Sequence, residues 1–284
     1  MLKQRIITAL CLIPLVIAGI FLLPASIFSW VLVAIFAIAA SEWGRIVALD
    51  CKTTQYCFSI SFTFVLVTLN IIVPADGIWY SSQLHPLYWL IIVVGCCWWL
   101  TAFLMVVAFP KSKPIVNNAV LKTVYGHLTL LPCFASLLAL KALGTMNAPY
   151  MGPFLVLLVM LVVWAADSGA YFVGKSFGKT KLIPNVSPAK TVEGLVGGLF
   201  TSMFIVALVM AISPEQELVL IIAVTVFVAL VSALGDLTES MFKRVAKIKD
   251  SGNILPGHGG VLDRIDSLTA AFPVFTMIYL AFWM

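Results

Sequence analysis

Apolar runs of close to 20 residues alternate with short polar segments along the whole chain. A run of this length crosses a hydrocarbon core of about 30 Å as an α-helix. The pattern therefore predicts an all-α polytopic membrane protein with about nine transmembrane helices. We place the predicted spans at about 6–23, 27–40, 56–73, 87–109, 125–143, 153–173, 195–212, 218–235 and 268–284.

Lysine and arginine are unevenly distributed between the two ends of these spans. If the N-terminus lies in the cytoplasm, all 17 of these residues except Lys141 fall on the cytoplasmic side. The positive-inside rule then predicts a cytoplasmic N-terminus and a periplasmic C-terminus. Lys141 lies near an outer helix end, where its long side chain is expected to snorkel. Two large polar loops, 174–194 and 236–267, would both face the cytoplasm.

Composition supports the membrane assignment and excludes other classes. The chain is 62% hydrophobic and only 10% charged, too apolar for a soluble protein of 284 residues. Its net charge is +5, and we expect the basic residues to contact anionic lipid. The sequence has no basic patch interleaved with aromatic residues, so we expect no binding of nucleic acid. The six cysteines form no CxxC pair and are interpreted as apolar residues rather than zinc ligands or disulfides.

The predicted spans divide the chain into two regions. Residues 1–145 form an N-terminal five-span region, and residues 146–284 form a C-terminal four-span region that carries both large loops. The first run, 6–23, is interpreted as a retained signal anchor because no small-residue cleavage site follows it. Whether the N-terminal region binds lipid, forms a dimer or serves as a scaffold stays open.

The candidate chemistry is concentrated in the segment Ser240–Ser267, SMFKRVAKIKDSGNILPGHGGVLDRIDS. Cationic side chains bind phosphate, carboxylates bind divalent metals, and glycines allow close approach of the backbone to a ligand. Asp263 and Asp266 share one face if this part of the chain is helical, and Asp236 can approach from the end of the preceding span. For His258, a phosphate contact, a structural turn and metal ligation stay open.

A second motif, SPAKTVEG, precedes the seventh predicted span. Lys190 and Thr191 are expected to open a helix whose positive end can bind phosphate. The alternative is a simple cap at the membrane surface. Glu193 is expected to cap this helix, with metal binding as the alternative.

A third motif, WAADSGAY, places Asp167 inside the sixth predicted span. A carboxylate within a span costs about 2.5–3.5 kcal/mol on insertion scales, so it has a partner or a function. A structural ion pair and a site role are equally open. Ser168 and Gly169 are expected to permit close approach of a neighbouring helix. Downstream, Glu239 and Lys243 have the spacing of an i,i+4 ion pair.

The run S-M-F-K-R, four residues, K-D-S-G and then L-P-G-H-G-G-V-L-D-R-I-D resembles the signature of the phosphatidate cytidylyltransferases, or CDP-diacylglycerol synthases. WAADSGAY and SPAKTVEG resemble two further segments of that family. The resemblance covers essentially the whole chain, and its specificity is concentrated after Trp164.

The resemblance implies transfer of a cytidylyl group from CTP to phosphatidate, with release of pyrophosphate, in phospholipid biosynthesis. It implies Mg²⁺, alone or with a second cation, a homodimer, contacts with membrane lipids, and a bacterial cytoplasmic (inner) membrane location with the active site facing the cytoplasm. The residues expected to act are catalytic Asp236, Asp263, Lys243 and Arg264; substrate-binding Ser187, Lys190, Thr191, Arg244, Lys249 and His258; and metal-binding Asp236, Asp263, Asp266 and Asp167.

Two other functions fit a membrane protein with a basic mouth. A transporter or flippase for an anionic lipid would place polar residues along several spans and show internal repeats. Neither feature is found, because the polar residues cluster on one side. A polyprenol or dolichol kinase or transferase shares the setting, but the uninterrupted signature argues against it.

Overall fold

In a computed structural model, the chain is an assembly of long helices with two small hairpins. The structure describes residues 2–144, 148–212, 218–254, 257 and 259–284. The α-helices of these ranges are α1 (Leu2–Leu22), α2 (Ala25–Val47), α3 (Lys52–Ile72), α4 (Pro86–Val107), α5 (Lys113–Val116), α6 (Ala119–Lys141), α7 (Met151–Phe177), α8 (Val192–Ile212), α9 (Leu218–Val245) and α10 (Leu262–Phe282). The strands are β1 (Trp79–Tyr80), β2 (Gln83–Leu84), β3 (Lys181–Ile183) and β4 (Ser187–Thr191).

The prediction of an all-α polytopic membrane protein is confirmed. Within the described ranges, eight helices are long and apolar enough to span a membrane, namely α2, α3, α4, α6, α7, α8, α9 and α10. The first predicted span, 6–23, is helical through Leu22 as part of α1. Which end of the bundle faces the cytoplasm stays a prediction.

Several helices extend beyond the predicted spans into the polar segments. The helix α9 has 28 residues and continues to Val245, ten residues past the predicted end at Gly235. At about 1.5 Å per residue it is about 42 Å long, so it exceeds the hydrocarbon thickness. The segment from Asp236 to Arg244, predicted as loop, is therefore helical. Hydropathy falls at Asp236, but the backbone hydrogen bonds of a helix continue through polar side chains.

The same correction applies to α2, which was predicted to end at Ala40. It continues to Val47, so Glu42 and Arg45 belong to a helix and not to a charged loop. Conversely, α10 begins at Leu262, as the placement of Asp263 and Asp266 on one helical face required.

The helices α6 and α10 form the centre of the bundle. The helix α10 packs against α9, α6, α4, α7 and α2, and α6 also contacts α2 and α4. Contacts therefore cross the predicted division at residue 145, and that division stays a prediction. Buried aromatic rings, among them Trp43, Phe134 and Phe272, fill the space between the helices.

The closest helix pair is α7 with α8, and it depends on small residues. A Cβ atom at Gly169 would collide with the side chain of Thr201, and one at Gly198 would lie 2.6 Å from the carbonyl oxygen of Ala166. Small residues let helix backbones approach closely in membranes. The expected role of Gly169 in close packing is thus confirmed.

Lys141 does not extend away from the bundle. Its side chain is buried, and its Nζ donates a hydrogen bond of 2.6 Å to the carbonyl oxygen of Ile20. The last carbonyls of a helix lack intrahelical partners and attract cations, so this lysine caps the end of α1.

Candidate active site

Four chain segments meet at one end of the bundle and bring most of the predicted site residues to the same region. They are the C-terminal half of α7, the hairpin β3–β4, the C-terminal part of α9 and the first turns of α10. These elements supply Asp167; Ser187, Lys190 and Thr191; Asp236, Lys243 and Arg244; and Asp263, Arg264 and Asp266. Lys249 is exposed in the connection after α9, and His258 lies outside the described residues.

The hairpin β3–β4 corrects the predicted helix start in SPAKTVEG. Ser187–Thr191 is a strand paired antiparallel with β3, and α8 begins only at Val192. The Thr191 hydroxyl accepts a hydrogen bond of 3.1 Å from the backbone N–H of Gly194. Thr191 is therefore the N-cap residue of α8 rather than part of its first turn. Ser187 pairs with Ile183 at the far end of the strand. The strand projects Lys190 away from the helix terminus and toward α9.

As expected, Glu193 caps α8, because its carboxylate accepts a hydrogen bond from its own backbone N–H in the first turn of that helix. Its carboxylate accepts hydrogen bonds from the backbone N–H groups of Lys179 (3.1 Å) and Thr180 (3.0 Å). It therefore ties the end of α7 to the start of α8.

Lys190 and Asp236 form the outer ion pair of the site. Their Nζ and Oδ2 atoms are 2.7 Å apart, and the two side chains are 27% and 30% exposed. The Ser240 hydroxyl, one turn further along α9, donates to Oδ1 of Asp236 at 3.2 Å. The pair connects the 174–194 segment to the membrane end of the second polar segment.

Lys243 is the centre of an inner, buried cluster. Its Nζ is 2.8 Å from Oδ1 of Asp263 and 3.2 Å from Oε1 of Glu239. The predicted i,i+4 pair is present, but neither oxygen of Glu239 accepts a hydrogen bond from the residues described. These side chains are only 12% (Lys243), 7% (Asp263) and 4% (Glu239) exposed.

Asp263 also holds the glycine-rich turn that precedes α10. Its oxygens accept hydrogen bonds from the backbone N–H groups of Ser251 (3.0 and 3.1 Å) and Gly260 (2.8 Å). Gly259 has a φ of +82°, a conformation that glycine adopts without a Cβ penalty. The turn therefore depends on the backbone conformation of Gly259 as well as on the carboxylate of Asp263.

Sequence reasoning missed Glu42, which contacts this same turn from α2. It is 2% exposed, and its carboxylate accepts hydrogen bonds from the backbone N–H groups of Leu262 (2.7 Å) and Val261 (3.1 Å). The signal was available, because a carboxylate inside a span needs a partner or a function. The predicted helix end at Ala40 moved Glu42 into a loop and removed that signal.

Acidic groups outnumber basic groups in the whole cluster. Asp266 interacts electrostatically with Asp236 and Asp167, and Glu239 with Asp266 and Asp263. Lys190, Lys243 and the exposed Arg264 are the cations that interact with these acids. The cluster therefore contains more carboxyl groups than cationic side chains.

The carboxyl oxygens of Asp167, Asp236 and Asp266 fit a divalent cation held by oxygen ligands. As placed, no three His, Cys, Asp or Glu side chains in the described ranges converge on one point suited to a metal ion. Lys190 and Lys243 lie against the carboxylates instead. Arg244, another predicted phosphate ligand, donates from Nε to the carbonyl oxygen of Val186 at 3.2 Å.

The fold and the cluster define a multi-pass membrane protein with a carboxylate- and lysine-rich site at one end of its helices. The sequence model described as the cytidylyltransferase family matches residues 3–282. The chain belongs to this family.

Two curated relatives match nearly the full length, and a third matches part of it. A protein of Haemophilus influenzae named phosphatidate cytidylyltransferase is 38% identical over 285 residues, covering 98% of this chain and 99% of its own. A protein of Pseudomonas aeruginosa with the same name is 40% identical over 286 residues, covering 100% and 99%. A Staphylococcus aureus protein, again with that name, is 45% identical over 124 residues, 43% of this chain.

Proposed function

We propose that this protein transfers the cytidylyl group of CTP to phosphatidate and so makes CDP-diacylglycerol and pyrophosphate for phospholipid biosynthesis. The observation that carries the proposal is the family match over residues 3–282 together with full-length relatives that bear the enzyme's name. The polar cluster supports it, because a reaction between two polyphosphate groups needs cations and a metal-binding set of carboxylates.

In the proposed reaction, an oxygen of the phosphatidate phosphate forms a bond to the α-phosphorus of CTP. The bond between that phosphorus and the oxygen bridging to the β-phosphate breaks, and pyrophosphate leaves with the electron pair. The attacking phosphate is already an anion at neutral pH, so the protein needs to position the reactants and neutralise charge rather than remove a proton.

Asp236, Asp266 and Asp167 are the proposed ligands of Mg²⁺, since their carboxyl groups lie close enough to interact electrostatically with one another. Mg²⁺, when bound, supplies neutralisation of the reacting phosphates and the leaving pyrophosphate. Asp263 was expected to share this role. Its oxygens already accept hydrogen bonds from Lys243, Ser251 and Gly260, so we assign it mainly to holding the turn.

The exposed cations at the same end of the bundle are the proposed phosphate ligands. Arg264, Arg244 and Lys249 are exposed, and Lys190 is partly so. We further propose that this end faces the cytoplasm of a bacterial inner membrane, where CTP enters from water and phosphatidate from the adjoining leaflet. The positive-inside pattern supports that orientation. A homodimer stays an expectation from the family.

The test is pyrophosphate release by the purified protein in detergent, with CTP, phosphatidate and Mg²⁺ supplied or withheld singly. We expect release only with all three, and its loss in Asp236→Asn, whose side chain is partly exposed and contacts Lys190 and Ser240. Asp76→Asn, an exposed acid in the 3₁₀ turn Ala75–Gly77, is the matched control and should keep full activity. Absence of release by folded wild type, with lipid and detergent varied, contradicts the proposal.

A further inference from the structure

The start of α10 lacks a cap of its own. The residue before its first turn is Val261, which has no side-chain acceptor and makes no side-chain cap hydrogen bond. The first N–H groups of a helix have no intrahelical partners, and leaving them buried and unpaired costs stability. A capping acceptor must therefore come from elsewhere in the chain.

Glu42 of α2 is that acceptor. Its Oε2 accepts from the N–H of Leu262 at 2.7 Å and its Oε1 from the N–H of Val261 at 3.1 Å. The negative charge also lies at the positive end of the α10 dipole, where it is stabilising. A residue 220 positions away in the chain thus does what a serine or aspartate does at an ordinary helix start.

Glu42 and its neighbour Arg45 also hold the turn that Asp263 binds. The buried Ser251 donates from its hydroxyl to Oε2 of Glu42 at 3.3 Å, and its carbonyl oxygen accepts from Nη1 of Arg45 at 2.8 Å. The N–H of the same residue donates to Asp263. Ser251 therefore links two residues of α2 directly to a carboxylate of the site.

Two glycines of the signature lie against the carboxylate of Glu42, with no space for a Cβ atom. A Cβ atom at Gly252 would collide with Oε1 of Glu42, and the three nearest atoms it would meet all belong to Glu42. A Cβ atom at Gly260 would collide with the hydroxyl of Ser251 and would press on Oε2 of Glu42. The glycines in K-D-S-G and H-G-G thus make room for a side chain from the other half of the chain.

We infer that Glu42 is a positioning residue of the active site: it fixes the start of α10 and the turn at Ser251, and so the direction in which Asp263 and Asp266 point. The inference rests on the proposed location of the site. It gives the N-terminal region a part in catalysis, since displacement of reacting groups by about 1 Å costs about 10²-fold in rate.

The test is Glu42→Gln, which keeps the shape of the side chain but leaves one acceptor oxygen where the carboxylate has two. We expect kcat for pyrophosphate release to fall by about tenfold to hundredfold with little change in the KM for CTP. Amide hydrogen exchange should rise in peptides covering 248–266 and stay unchanged in those covering α6.

Gln55→Ala is the matched control in the same region. Gln55 is also buried and donates to the carbonyl oxygens of Ala48 and Leu49, but it does not hydrogen-bond the turn. Its loss should lower Tm and leave kcat of the folded protein and exchange in 248–266 unchanged. Wild-type kcat and exchange in Glu42→Gln overturn the inference. If Asp236→Asn is also fully active, the proposed site itself is wrong.

A second variant tests the same contact from the side of the glycine. Gly252→Ala retains Glu42 but places a methyl group against its carboxylate, so it should reproduce the loss of kcat. In the Glu42→Ala background the methyl group has space, and the added substitution should cost nothing further. Contacting residues give such non-additive effects, whereas independent sites add. Additive losses in the double variant overturn the inference.

Discussion

The helix α9 carries residues of an outer ion pair and of an inner ion-pair cluster, centred about two turns apart, and the two differ in their access to solvent. Asp236 pairs with Lys190 at the surface of the cluster, where both side chains are about a quarter to a third exposed. Lys243 pairs with Glu239 and Asp263 in the interior, where all are nearly buried. An exposed pair exchanges partners at little cost, whereas a buried one does not, because losing a partner leaves an uncompensated charge. The outer pair is therefore suited to substrate exchange and the inner cluster to holding the fold.

The largest effect that separates the two clusters is expected from Lys243→Met. Removal of the ammonium leaves Glu239 and Asp263 facing each other in a buried site, which costs about 3–5 kcal/mol of stability. Thermal unfolding in detergent should show a large fall in Tm, and activity should be lost. The control is Lys175→Met, because Lys175 is exposed beside Tyr171 and makes no carboxylate contact shorter than 4 Å with the described residues. A melting curve like that of wild type would show that the inner cluster is not structural.

A smaller effect on stability, but a strong one on turnover, is expected from Asp236→Asn. The pair with Lys190 is partly exposed, so its contribution to stability is about 0–1 kcal/mol. Tm should therefore stay close to that of wild type while kcat falls by about 10²-fold or more. Parallel measurement of Tm and kcat checks this, and a loss of Tm as large as that of Lys243→Met would remove the distinction between the two clusters.

The smallest effect is expected from Lys190→Gln. If Lys190 leaves Asp236 to bind a phosphate of CTP, its loss should raise the KM for CTP by about tenfold and change Tm little. Lys190→Arg should restore most of the affinity, because it keeps the charge. Lys181→Gln on the paired strand is the control. A fall in kcat with unchanged KM would assign Lys190 to the transition state instead of to nucleotide binding.

The spans could be predicted from the sequence because each apolar run is a local property of the chain. The positions of Asp263 and Asp266 on one helical face followed from their spacing in the same way. The ends of α2 and α9 could not be predicted, since hydropathy falls where the helix enters water while the backbone hydrogen bonds continue. The hairpin β3–β4 was missed because SPAKT is also a plausible helix start, and its pairing with β3 decided the outcome.

The types of residue in the site were predicted from the sequence, but their spatial arrangement was predicted only in part. Residue types indicated carboxylates and cations around phosphate, but not that Lys243 is enclosed by Glu239 and Asp263. Such an arrangement depends on how α9 and α10 pack. The partners of Glu42 could not be predicted for the same reason, since Leu262 lies 220 residues further along the chain.

The contact between α2 and α10 also has a consequence for the synthesis of the protein. The ribosome makes Glu42 220 residues before Leu262 at the start of the helix that it caps. At synthesis rates of roughly 5–20 residues per second, the 220 residues between them take roughly ten to forty seconds. During that interval the carboxylate of Glu42 lacks the backbone N–H groups of Val261 and Leu262, because they have not yet been synthesised. The turn before α10 is held by Glu42 only after Val261 and Leu262 have been made. A translation product truncated before them would contain Asp236 and Lys243 but would lack the arrangement of the site that we propose for activity.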